Sequence, residues 1–152
     1  MLRNIRYAFI AILLVGCVGL GVAGCAKTGG GAGQEQMYKE NASPKDVENF
    51  IAASKGKVVL VNVFASWCGY CMQELPDIVS LRAKYSKDDL AVLGVALEDA
   101  STLPDLKRVI SEMKVSYPVY VAGDDFAEKN NITGVPVTII YDRNGKVHRN
   151  IM

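Results

Sequence analysis

Two runs constrain the fold more than any other feature: "KVVLVNVFA" at 57–65 and "LAVLGVAL" at 90–97, both apolar and rich in β-branched residues. A strand with one wet face alternates apolar and polar residues. These do not alternate, so each reads as a strand buried on both faces, as in a parallel or mixed sheet. Helical patterns surround them. "SPKD" opens the first, with Ser43 as N-cap, Pro44 at the first helical position and Asp46 in the first turn. Val47, Phe50 and Ile51 form its apolar face, and Gly56 ends it. A second helix is expected from Cys68 to about Tyr85, interrupted and kinked at Pro76. A third opens at Pro104, with Leu106, Val109, Ile110 and Met113 on one face. "YPVYVA" at 117–122 reads as a short strand, 124–130 as a short helix, and the remainder as two strands around a turn at Asp142 to Gly145. The order α-β-α-β-α-β-α-β-β argues for a three-layer α/β sandwich with a mixed sheet.

The start of the chain reads differently. Arg3 and Arg6 precede an apolar stretch that ends in "VAGC", Val22 to Cys25. A basic start, an apolar core and small residues before a cut site describe an export signal. A signal anchor retained as a membrane helix is the alternative, since the stretch is near the lower length limit for spanning. "VAGC" resembles a bacterial lipobox, which implies cleavage before Cys25 and lipid on its thiol. Cys17 after "LVG" fits the same local pattern, but cutting there would leave an apolar tail exposed. Cys25 is followed by a Gly-rich polar tract suited to a tether. The expected organisation is a signal at 1–24, a tether at 25–40 and a folded domain at 41–152. The domain would then be lipid-anchored to a bacterial membrane and face the periplasm or the cell exterior. The full chain has a formal net charge of +1 and no basic patch, so no nucleic-acid partner is expected.

With Cys17 removed and Cys25 lipidated, Cys68 and Cys71 are the remaining thiols, in a compartment where disulfides persist. A zinc site needs about four ligands. The other donors of that kind are Cys17, Cys25 and His148, so no metal is expected. A c-type haem needs His after the second cysteine, and position 72 is Met72. A structural disulfide across two residues closes a very short loop, which stabilises little. Thiol–disulfide exchange fits better. A cysteine at a helix N-terminus meets unpaired N–H groups and the positive end of the macrodipole, and both favour the thiolate. Cys68 is therefore the expected nucleophile. Cys71, one turn further in, is the expected resolving thiol. Trp67 caps the approach on one side or is a packing residue. No cofactor beyond the cysteine pair is expected.

"WCGYC" after a buried strand, Pro76 five residues after Cys71, and "TGVP" before a strand resemble the thioredoxin superfamily. "NVFASWCGYCMQELP", with a helix–strand segment inserted at about 99–122, resembles its membrane-attached TlpA/ResA-like branch, which includes CcmG-type reductases of cytochrome c maturation. The resemblance covers roughly residues 43–150. It implies a thioredoxin-like sandwich, a cis Pro136 near the cysteines, and a Val135 backbone that pairs with an extended client segment. It also implies that Glu74 is an acid handling the exchange proton; a solvated helix residue is the alternative. Implied partners are disulfide-bearing clients, apocytochrome c among them, and a membrane electron donor of the DsbD/CcdA type. Three departures stand out. Asn62 occupies the place of thioredoxin's buried aspartate. Gly69-Tyr70 differs from thioredoxin's Gly-Pro. The family's usual C-terminal helix is missing before Met152, so truncation or a poorly covered sheet face is expected. The implied activity is client reduction. A broad-specificity oxidase or isomerase, and a metal-binding or docking lipoprotein, are the competing readings.

Overall fold

The computed structural model of the protein describes residues 37–152. The apolar leader, Cys17, Cys25 and most of the expected tether lie outside the described residues. The elements run β1 (Tyr38–Lys39), α1 (Pro44–Ala53), β2 (Val58–Phe64), α2 (Gly69–Lys84), β3 (Leu90–Leu97), α3 (Leu103–Glu112), β4 (Val119–Ala122), α4 (Asp124–Lys129), β5 (Val137–Tyr141) and β6 (Val147–Ile151). They form one six-stranded sheet in the order β1-β4-β3-β2-β5-β6. β1, β4, β3 and β2 are parallel, and β5 and β6 are antiparallel to their neighbours. The segment from 99 to 122 supplies α3 and β4, which separate β3 from the edge strand β1.

The strand periodicity explains the layers. Leu60 and Phe64 of β2, with Val92 and Ala96 of β3, point to a core shared with Leu75 and Ile78 of α2 and Leu106 and Val109 of α3. Val59, Val61 and Val63 of β2, with Leu93 and Val95 of β3, point the other way, against Val47 of α1 and Phe126 of α4. Successive side chains of a strand face opposite sides, so an unbroken apolar run is required to fill both cores. Gly94 leaves room on the α2 side. A Cβ there would meet Phe64 Cε1 at 3.1 Å and Tyr117 Cε2 at 3.4 Å, so two aromatic rings occupy the space a side chain would take.

Three details differ from the sequence expectation. The sheet begins earlier, with β1 on residues assigned to the tether. Two residues have no readable period; β1 exists because it pairs with β4, with Val119 N–H donating to Met37 O at 2.8 Å. α2 runs unbroken through Pro76. The proline is exposed, while Leu75 and Ile78 beside it are buried and hold the turn. α1 ends at Ala53 with a Ser54 cap, and Gly56, at φ +91°, makes the subsequent reversal into β2. No helix follows β6 among the described residues, and every residue of β6 is exposed. On the α2 face an open apolar groove of about 450 Å³ runs past Leu60, Leu81, Tyr85 and Ile140.

β1 is clamped to α1. Asp46 Oδ2 accepts from the Ser43 amide and hydroxyl, both at 2.8 Å, completing a capping box, and Asp46 Oδ1 pairs with Lys39. The Lys39 ammonium first, then Ser43, pull the Asp46 carboxyl from 3.8 to about 2. A carboxyl with a lowered folded pKa adds stability above its unfolded value and loses it as pH falls through the folded one. Thermal melts of Asp46→Asn should therefore fall below wild type at pH 6 and converge with it near about pH 2. A gap that persists at the low end would show that the clamp does not work through charge.

Candidate functional site

β2 ends at Phe64, and the chain turns so that Cys68 N–H donates to Ala65 O at 3.1 Å. Cys68 is the N-cap of α2, and its sulfur accepts the Cys71 amide at 3.1 Å. The sulfur thus takes the capping position normally held by a serine or aspartate oxygen. Cys68 and Cys71 form a disulfide with Cα atoms 5.2 Å apart. Cys68 is 7% exposed and Cys71 1%. Cys68 is the less buried of the two.

The Val135–Pro136 peptide is cis. The Val135 carbonyl oxygen lies 3.6 Å from Cys68 Sγ; a disulfide sulfur carries no hydrogen, so this is a contact. Trp67 is 66% exposed and Tyr70 76%. Trp67 is therefore not a core packing residue, and both exposed rings belong to residues next to the cysteines in the chain. Beside it lies a cleft of about 570 Å³ bounded by Trp67, Glu98, Asp124, Gly134 and Val135. Strands β3 and β4 end there, so the cleft sits at the carboxyl ends of parallel strands.

Glu74 is half-buried, one helical turn beyond Cys71. Its carboxylate accepts from Asn62 Nδ2 at 3.2 Å and from Thr138 Oγ1 at 3.1 Å, and Asn62 also donates to Thr138 Oγ1 at 3.2 Å. Asn62 and Thr138 are buried and directly paired in the β2–β5 ladder. Glu74 is thus not a freely solvated helix residue. Burial, with the Glu74 charge adding to it, pushes the Tyr117 phenol up. Of the residues expected from the sequence, the fold places Cys68, Cys71 and the Val135–Pro136 peptide in contact, with Trp67 next to Cys68 in the chain and Glu74 one turn beyond Cys71. Sequence reasoning missed Thr138, whose role depends on a contact 64 residues away from Glu74. It also missed Glu98, which accepts the Ser66 amide just before the reactive loop. Among the described residues, no group of three or more His, Cys, Asp or Glu side chains is placed to hold a metal.

A cysteine pair capping a helix after a buried strand, opposed by a cis-proline loop, is the arrangement of thioredoxin-like proteins, here with the extra helix–strand segment of the TlpA/ResA-like branch. The chain belongs to the Redoxin family, whose model matches residues 38–151. It is 30% identical over 95 residues to thioredoxin-like protein YneN of Bacillus subtilis, covering 62% of this chain and 55% of that protein. It is 26% identical over 98 residues to the thiol-disulfide oxidoreductase ResA of Bacillus thuringiensis, covering 64% and 56% respectively. The chain therefore spans little more than half the length of these curated relatives. The crystal structure of a thioredoxin-family thiol:disulfide interchange protein from Chlorobium tepidum superposes with a TM-score of 0.59 at 31% identity, covering 66% of this chain and 72% of that one.

Proposed function

We propose that the protein is a thiol–disulfide oxidoreductase that reduces disulfides of client proteins outside the cytoplasmic membrane. The observation that carries this reading is the Cys68 sulfur at the cap of α2, accepting the Cys71 amide. A donor aimed at that sulfur, together with the helix N-terminus, favours the thiolate once the disulfide is opened. In the reduced protein the Cys68 thiolate attacks one sulfur of the client disulfide. A mixed disulfide forms and the client's other sulfur leaves as a thiolate. Cys71 then gives up its proton, attacks Cys68 Sγ, and expels the second client thiolate. The client gains two electrons, and the Cys68–Cys71 dithiol is oxidised to the disulfide.

Glu74 is the proton acceptor for Cys71 in this scheme. Its position on the next turn, held by Asn62 and Thr138, supports that role. The Val135 backbone beside Cys68 would pair with an extended client segment, and Trp67 would bound it. Cys25 would carry the lipid anchor, and a DsbD/CcdA-type membrane protein would return electrons; apocytochrome c is a client that fits the family. The experiment is turnover of insulin disulfides by the reduced protein. Glu74→Gln should slow resolution near neutral pH by about a hundredfold or more, the usual range for a lost general base, with the melting curve preserved. An identical pH–rate profile would remove Glu74 from the mechanism.

A further inference from the structure

The turn that presents Cys68 rests on a carboxylate used by none of the steps above. Glu98 follows the last residue of β3. Its Oε1 accepts the Ser66 amide, two residues before Cys68. Among the described residues, neither its Oε2 nor Ser66 Oγ, both buried, has a hydrogen-bond partner. Tyr38 enters from β1 and packs against the core shared with α2. Its phenol is pushed up to about 12, by burial first and the Glu40 charge next, with Glu98 adding. Buried polar atoms are normally paired, and an exception calls for an explanation. The Glu98 carboxylate places a negative charge on the turn that leads into Cys68. The charged and titratable groups around it are mostly acidic. Asp99 is next in the chain and Asp124 lies across the cleft. Glu40 is on the β1 side, where Lys107 of α3 pairs with it at 3.1 Å and lies over the Tyr38 ring. Among the described residues, no cation lines the cleft.

We infer that Glu98 is a positioning residue that sets the direction of electron flow: its oxygen pins the Ser66–Trp67 turn, and its charge opposes the Cys68 thiolate and so favours the disulfide. The inference rests on the proposed exchange activity and adds to it. A strong oxidant of this fold works by stabilising its reduced form; a fixed negative charge behind the nucleophile does the opposite. The helix cap and Glu98 thus pull the thiolate in opposite directions, and Glu98 keeps the pair reducing.

The test is Glu98→Gln in the full chain, which keeps an oxygen for the Ser66 amide and removes the charge. The Cys68 thiolate absorbance titration should move to lower pH. Equilibration against glutathione should shift toward the reduced protein by about threefold or more, as expected for half a pKa unit of lost repulsion. Glu98→Asp, which keeps the charge, should stay close to wild type in the equilibrium. Glu98→Gln with an unchanged titration and an unchanged equilibrium would overturn the inference, even if insulin reduction is robust. Failure of the wild type to reduce insulin would instead count against the activity, while the titration would still decide the role of Glu98. If the glutamine variant does not fold, the carboxyl NMR signal of Glu98 in the reduced wild type should respond as Cys68 ionises, because the coupling is reciprocal. A flat signal would equally overturn it.

Discussion

Cys68→Ser should reduce disulfide exchange to the uncatalysed background, and Cys71→Ser should leave attack intact while mixed disulfides with clients accumulate. The asymmetry follows from the two environments. Cys68 is the less buried residue and occupies the cap of α2, where the Cys71 amide points at its sulfur. A serine hydroxyl there makes the same cap but does not ionise near neutral pH, so the nucleophile is lost. Cys71 is 1% exposed. On the proposed mechanism its task is intramolecular attack on the bond between Cys68 and the client. Insulin turnover and non-reducing electrophoresis read the two effects separately. A Cys68→Ser protein with wild-type turnover would remove the cysteine pair from the chemistry.

The largest expected loss of stability near the site is at Phe64. Its side chain is fully buried, it ends β2, and its ring occupies the space over Gly94. Phe64→Ala removes a ring that the neighbours are not free to replace, since Gly94 offers no side chain and Val119 and Tyr117 are already packed there. Such truncations cost about 3–5 kcal/mol, a large share of the roughly 5–15 kcal/mol that holds a domain folded. Urea melts should show a matching fall in midpoint, with thermal unfolding lowered by more than about 10 °C. Exchange should suffer beyond the stability loss, because the turn from Ala65 to Cys68 is anchored on this residue. A loss below about 1 kcal/mol would mean that the core collapses around the gap and that the packing over Gly94 is looser than described.

The site was legible in unequal parts. The unbroken apolar runs at β2 and β3 announced a doubly covered sheet, and "SPKD" announced the start of α1, because both signals are local. The cysteine pair was legible because its place between a strand and a helix is itself sequence information. Pro136 and Glu74 drew meaning from resemblance, since one proline before a strand and one helical glutamate are commonplace. Thr138 was invisible: in a strand, threonine is ordinary, and only the β2–β5 register sets it beside Asn62. β1 was invisible too, since its hydrogen bonds come from β4 and not from its own two residues. Pro76 misled in the other direction. Its local penalty is real, but the buried residues on either side outweigh it.

The reduction potential of the Cys68–Cys71 pair in the purified protein separates a reductase from an oxidant. A potential near or below thioredoxin's, about −270 mV, is the predicted result for a client reductase fed by a membrane donor. A potential near that of the oxidant DsbA, about −120 mV, would contradict it and make the protein one that forms or reshuffles disulfides.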